Sequence, residues 1–248
     1  MRRALTIAVA GLAIMPAWAV AGPSAAPQVR IPPAFTARYS GLGGLIEAHV
    51  SLTHRGRFLK YEYRSTLAGL GFYECSLVET GARDFWPLRY VHREIQGDGS
   101  RDLSIVFERA QRRATLTRGG ERRVLEDIEY PAWDALSVQL RMMADLAAGS
   151  APLKYRVIDK GGLSEYRFRQ SAGADLKHAG RDYRTLRIER DAAKRKSYVE
   201  LAPQLHYVPV RIAYNARVIG WVSATLVEFT LTEPQAVSDD TAPHCEPR

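Results

Sequence analysis

Asp134–Gly149, DALSVQLRMMADLAAG, is the one stretch of this 248-residue chain in which apolar residues recur at helical spacing for several turns. Asp134 is placed to cap a helix that follows Pro131, and Gly149 suits a left-handed terminator, so about four turns fit between them. Leu136, Leu140, Met143 and Ala147 form one stripe, widened by Val138, Met142 and Leu146. Ser137, Arg141 and Asp145 make the only clear polar strip. A membrane-surface helix would show a face rich in Lys and Arg, and this one carries a single Arg. The stretch therefore predicts one inserted α-helix over about residues 134–148, buried against its surroundings as a plug or as a lid over a cavity.

Outward from it, in both directions, the pattern switches to a period of two. FTARYS, LIEAHVSLTHRG, RFLKYEYRSTLAG, FYECSLVET, PLRYVHREI, DLSIVFERA, RATLTRGG and RRVLEDIEY precede the helix, separated by turn signals such as Gly97-Asp98-Gly99 and Gly119-Gly120. After it come three hairpins, with turns expected at Lys160-Gly161-Gly162, within DYRTLRIERDAAKRKSYVELAP, and at Asn215-Ala216. Leu186 and Ile188 face one way while Arg187 and Glu189 face the other, the mark of a sheet wet on one side. The expected fold is mainly β: a strongly curved antiparallel sheet or barrel of about a dozen strands with one inserted helix.

The ends bound the compartment. Met1-Arg2-Arg3, the apolar run Ala4–Met15, Pro16 and the small residues to Ala21 read as a secretory signal peptide, residues 1–21, cut after Ala19 or Ala21. An uncleaved anchor is the alternative, but a bilayer span needs about 20 apolar residues. Residues 22–33 read as an extended leader, 34–233 as a single β-rich domain and 234–248 as a C-terminal tail. No transmembrane span is expected in the mature chain, and its expected location is the periplasm.

The chain holds 35 Lys+Arg against 27 Asp+Glu; loss of Arg2 and Arg3 takes the net charge of +8 down by two, to +6. Export removes nucleic acid as a partner. A positive surface would meet lipid, lipopolysaccharide or cell-wall ligands, or an envelope protein; the blander reading is that Arg keeps a β-rich protein soluble. Cys75 and Cys245 are expected to form a disulfide that pins the tail; the alternative is two independent thiols.

DALSVQLR at Asp134–Arg141, YVPVRI at Tyr207–Ile212, the strand through GWVSATLVEFTL and FWPLRYVHRE at Phe85–Glu94 resemble the exported proteobacterial domain-of-unknown-function family 3108. The resemblance covers most of Phe35–Leu231. It implies a curved antiparallel sheet with one inserted helix in an exported protein, and it brings no known activity and no catalytic residues.

Catalytic signals are sparse. There is no G-x-S-x-G, and Ser137 lies inside the helix, where a local backbone bond is its expected role. No H-x-H or H-E-x-x-H exists, and Glu47 with His49 on one strand face is common on solvated strands, so no metal or cofactor is expected. Trp86, Trp133 and Trp221, with Tyr90, Tyr155, Tyr166 and Tyr214, are spread over the whole sheet as core or girdle residues. The candidate ligand site is a cavity between helix and sheet, lined by Trp133, Leu136, Leu140 and Met143 with Arg89 or Arg211 at its rim. Non-enzymatic binding of an amphiphile or envelope polymer is the first functional expectation. An accessory or structural protein engaging another envelope component is the second, and a hydrolase acting on cell-wall or lipid material the third.

Overall fold

A computed structural model describes residues 29–67, 69–191, 197–216, 220–234 and 242–245. The expected signal peptide lies outside them. The strands before the helix are β1 (Phe35–Gly41), β2 (Ile46–Arg55), β3 (Phe58–Leu67), β4 (Leu70–Thr80), β5 (Phe85–Ile95), β6 (Leu103–Glu108), β7 (Arg113–Arg118) and β8 (Glu121–Leu125). The helix, α1, spans Ser137–Ala147. After it come β9 (Leu153–Asp159), β10 (Gly162–Ala172), β11 (Leu176–His178), β12 (Arg181–Tyr183), β13 (Leu186–Arg190), β14 (Ser197–Ala202), β15 (Val208–Ala216) and β16 (Gly220–Leu231).

Fourteen strands make one antiparallel sheet in the order β8-β7-β6-β5-β4-β3-β2-β1-β16-β15-β14-β13-β10-β9, and β11–β12 form a separate ribbon. Nearly every neighbour in space is a neighbour in sequence, and β1 pairs with β16 to join the two halves. Adjacent strands twist by about 20–25°, so a sheet this wide must curl. Register shifts at Arg38/Tyr39, Leu77/Val78 and Glu200/Leu201 add local twist.

The curl brings the two sheet edges, β8 and β9, face to face without a hydrogen-bonded ladder between them. Arg123 on β8 reaches the turn after β9, where a Cβ on Gly162 would meet its Nη1 at 3.4 Å. Residues 128–133 stitch the seam: Ile128 N–H donates to Arg112 O at 2.7 Å, and Trp133 makes a parallel bridge with Val157 on β9. β8 carries Glu121, Arg122 and Arg123 exposed, a charged edge that discourages further pairing. The sheet is barrel-like and curved, not closed.

Inward-facing positions build the core: Phe35, Tyr39, Leu52, Tyr61, Ile105 and Val157 are each no more than 1% exposed. Into it α1 projects Leu136, Val138, Leu140, Met142, Met143 and Leu146, all buried. Each such side chain contributes about 1.5–3 kcal/mol of burial, so the sheet and the helix hold each other in place. A smaller cluster covers the convex face, where Phe58, Tyr73, Cys75, Leu77 and Val91 pack with Cys245. Cys75 and Cys245 are joined by a disulfide across a sequence separation of 170 residues, which fixes the tail there.

Two local expectations shift. The regular helix starts at Ser137, because Asp134 and the turn after it act as the cap. Asn215 and Ala216 are paired strand residues opposite Trp221 and Gly220, so the turn between β15 and β16 is not there. Alternation continues through Tyr214, and ladder pairing overrides the turn propensity of Asn.

Candidate functional site

The end of the barrel that holds α1 is sealed. Asp134 is fully buried; its Oδ1 accepts the Leu136 and Ser137 backbone N–H groups, each at 2.9 Å. Its Oδ2 accepts Ser76 Oγ from β4 and Ser137 Oγ, each at 2.8 Å, while the Asp134 N–H donates back to Ser137 Oγ. This is a reciprocal cap that also ties the helix start to the sheet. Burial raises the Asp134 carboxyl to about 6 despite these donors. At the other end Gly149 takes φ 69° and donates to Leu146 O, and Ser150 N–H donates to Asp145 O, a Schellman termination. Trp133 stands edge-on to Phe85 at 5.3 Å, one turn before the helix.

The residues expected around a cavity are divided between the core and the convex face. Leu136, Leu140 and Met143 are core residues with 1%, 0% and 1% exposure, filling the lower interior. Arg89 and Arg211 point to the convex face, opposite in parity to the inward Tyr90 and to Val210 and Ile212. Arg89 is exposed there, and Arg211 pairs at 3.1 Å with Glu200, which also binds Arg187 at 2.8 Å. Trp133 lines a side groove of about 320 Å³ bounded also by Pro131, Arg141, Lys154, Tyr155 and Arg156. The groove's cations are engaged, Arg141 with Asp84 and Asp145, Lys154 with Glu165 and Arg156 with Glu129. Its charges are satisfied within the protein.

The opposite end of the concave interior is different. Tyr63 on β3, Phe72 and Glu74 on β4, and Tyr90 and His92 on β5 all face inward, because β3, β4 and β5 set Tyr63 opposite Glu74 and Glu74 opposite His92. Glu74 accepts Tyr90 Oη at 2.6 Å and meets His92 Nδ1 at 3.1 Å. Phe72 stacks on His92 at 5.3 Å and meets Tyr63 in a tilted contact at 5.5 Å. Across the interior, Tyr166 Oη donates to Asp159, and the Arg190 guanidinium lies 3.2 Å from the centre of the Tyr166 ring.

Burial, with Glu74 adding, holds the Tyr63 phenol up at about 12, and burial with Asp159 does the same for Tyr166. Tyr90 is raised well above the usual phenol range by burial, then by Glu74, Asp134 and Asp159 in turn, so one phenol feels carboxylates from three parts of the chain. These tyrosines act as neutral hydrogen-bond donors at physiological pH. Tyr63, Phe72, His92 and Phe168 are inward-facing yet only partly buried. The interior thus has an apolar floor filled by the helix and a polar, aromatic mouth with unspent ring surface.

Tyr90 and Tyr166, expected from the sequence as core or girdle residues, stand at this mouth, whereas nothing in the sequence pattern alone assigns a role to Glu74 or Phe72. The available signal was Glu74 at an inward parity position, on the strand face it shares with Phe72, Ser76 and Val78. Among the described residues, no group of three or more His, Cys, Asp or Glu is arranged to hold a metal ion, and no helix is long and apolar enough to cross a membrane.

Residues 76–227 match a family described as "Protein of unknown function (DUF3108)". A similar solved structure is that of a beta-barrel-like protein of domain of unknown function DUF1849 from Brucella abortus, at 8% identity and a TM-score of 0.47, covering 82% of this chain and 100% of that one. No curated protein matches.

Proposed function

The chain belongs to the DUF3108 family of proteins of unknown function, and from that premise we propose that it is an exported, periplasmic, non-enzymatic protein that binds an amphiphile in the mouth of its curved sheet. The observation that carries this reading is the division of the concave side into a sealed apolar floor and a partly exposed aromatic mouth holding Tyr63, Phe72 and His92. Aromatic walls with a few fixed polar groups suit a ligand with an apolar body and a polar head. Glu74, Tyr90, Asp159 and Arg190 would orient the head, and the rings would cover the body. The disulfide fits an oxidising compartment.

The test is titration of the protein with a dansylated fatty acid, together with native mass spectrometry of protein extracted from its own envelope without detergent. Saturable binding is expected, weakened tenfold or more by Phe72→Asp and unchanged by Val106→Asp on the convex face. No saturable binding, or equal binding by both variants, refutes the reading.

One observation favours a hydrolase instead: Glu74 orients His92 as a carboxylate orients a general base. The inward serine on the same strand as Glu74, Ser76, spends its hydroxyl on Asp134, so the pair faces no poised nucleophile on that strand. A polymer-binding or accessory role in the envelope is the remaining alternative, and loss of dansyl fatty acid binding together with recovery of a crosslinked envelope protein would favour it.

A further inference from the structure

The open rim of the barrel is amphipathic, and we infer that it docks on an anionic lipid surface. In an antiparallel sheet successive turns fall at alternate ends. The turns after β4 and β6 lie with the plug, since Asp84 pairs with Arg141 and Arg112 O accepts Ile128 N–H. The turns after β1, β3, β5, β7 and β9 therefore stand together at the open end, around the mouth, where the turn after β5 adds one exposed cation and one exposed carboxylate, Arg101 and Asp98.

Two adjacent turns form an apolar lip. Leu42 and Leu45 flank the tip between β1 and β2, Leu67 and Leu70 the tip between β3 and β4, and all four are exposed, Leu45 and Leu70 by 62% each. The tip between β1 and β2 protrudes: a Cβ added at Gly43 or Gly44 would have nothing within 4 Å. Leu42 holds φ 49°, a conformation that Gly or Asn adopts with less strain, and the side chain it presents there is 47% exposed. Facing this lip across the mouth, the turns after β7 and β9 carry Arg118, Arg122 and Lys160, all exposed, against the single exposed carboxylate Glu121.

The shape selects the occupant. A stable protein partner needs about 800 Å² of contiguous surface per side, which four leucines on two separate tips do not offer. A fluid bilayer accepts protruding tips, takes leucine into its acyl region and presents phosphates to arginine and lysine. Docked this way, the mouth opens directly onto lipid. The inference goes beyond amphiphile binding and is carried by rim residues alone, so the two can fail separately.

The experiment is co-sedimentation of the mature chain with vesicles of phosphatidylethanolamine and phosphatidylglycerol, beside vesicles of phosphatidylcholine. Partitioning is expected to favour the anionic vesicles tenfold or more and to weaken at high salt. Leu45→Glu with Leu70→Glu should lower it at least tenfold, and Arg118→Glu with Arg122→Glu should abolish the preference for anionic lipid. Val106→Glu and Val227→Glu, exposed away from the rim, should leave it intact, with circular dichroism confirming that every variant is folded. Absent vesicle binding, or equal loss in the rim and control variants, overturns the inference. So does a dimer, seen by sedimentation equilibrium, that Leu45→Glu dissociates. Retained dansyl fatty acid binding in the Leu45→Glu, Leu70→Glu variant separates failure of docking from failure of the mouth as a binding site.

Discussion

Removing the carboxylate of Asp134 should uncouple the helical plug from the sheet. The group has no exposure and satisfies two backbone N–H groups and two serine hydroxyls. In Asp134→Ala the loss of an N-cap costs about 1 kcal/mol. Stranding the buried N–H groups of Leu136 and Ser137 adds about 1–3 kcal/mol each, while the hydroxyls can turn to other acceptors. The expected loss is roughly 3–7 kcal/mol, a large share of the 5–15 kcal/mol typical of a domain. Asp134→Asn keeps acceptors for the two N–H groups and can donate to the hydroxyls, so at pH 7 it should cost about 1 kcal/mol or less.

The same group sets a pH dependence whose sign follows from its environment. Its folded pKa, about 6, lies above the ordinary 3.8, so the folded protein holds the proton more tightly than the unfolded chain. Stability from this source is fully present below pH 3.8, falls as pH rises to about 6, and is gone above. Two units correspond to about 3 kcal/mol. Urea unfolding followed by tryptophan fluorescence, for wild type and Asp134→Asn from pH 4 to 7, reads it out. Wild type should gain on Asn as pH is lowered. A difference that stays flat with pH, or an Asp134→Ala variant within 1 kcal/mol of wild type, would refute the account.

Other perturbations follow from the same contacts. Cys75→Ser with Cys245→Ser opens a loop of 170 residues; the chain-entropy relation gives about 5 kcal/mol, an upper bound that guanidinium unfolding with and without reductant should approach to within a factor of two. Leu140→Ala, at a position with no exposure in the middle of the plug, should cost about 2–5 kcal/mol by calorimetry, and a loss under 1 kcal/mol would mean the plug is loosely packed. Glu200→Ala leaves Arg187 and Arg211 without their shared carboxylate. Both guanidinium groups are about a third exposed, so the expected loss is about 2–3 kcal/mol, and a double-mutant cycle with Arg187→Ala should recover a coupling above about 1 kcal/mol.

Much of this protein was legible along the chain because the deciding interactions are local. Asp134 and Gly149 end the helix through bonds that reach two to five residues, and the broad apolar girth of α1 already required burial. Alternation assigned strands and faces, and it also held the signal that Arg89 and Arg211 lie on the convex side, since Tyr90, Val210 and Ile212 beside them face inward. Two cysteines in a chain expected to be exported were enough to expect a bridge.

What the sequence left open depends on which strand lies beside which, and in what register. Glu74 meets Tyr90 and His92 only because β4 pairs with β5 through a register shift at Leu77/Val78, and a one-residue slip would turn Glu74 away from the interior. The burial of Leu136, Leu140 and Met143 against the sheet depends on how far fourteen strands curl. That curl, summed over many small twists and ended by residues 128–133 at the seam, is a property of the whole sheet and is written in no single stretch of the chain.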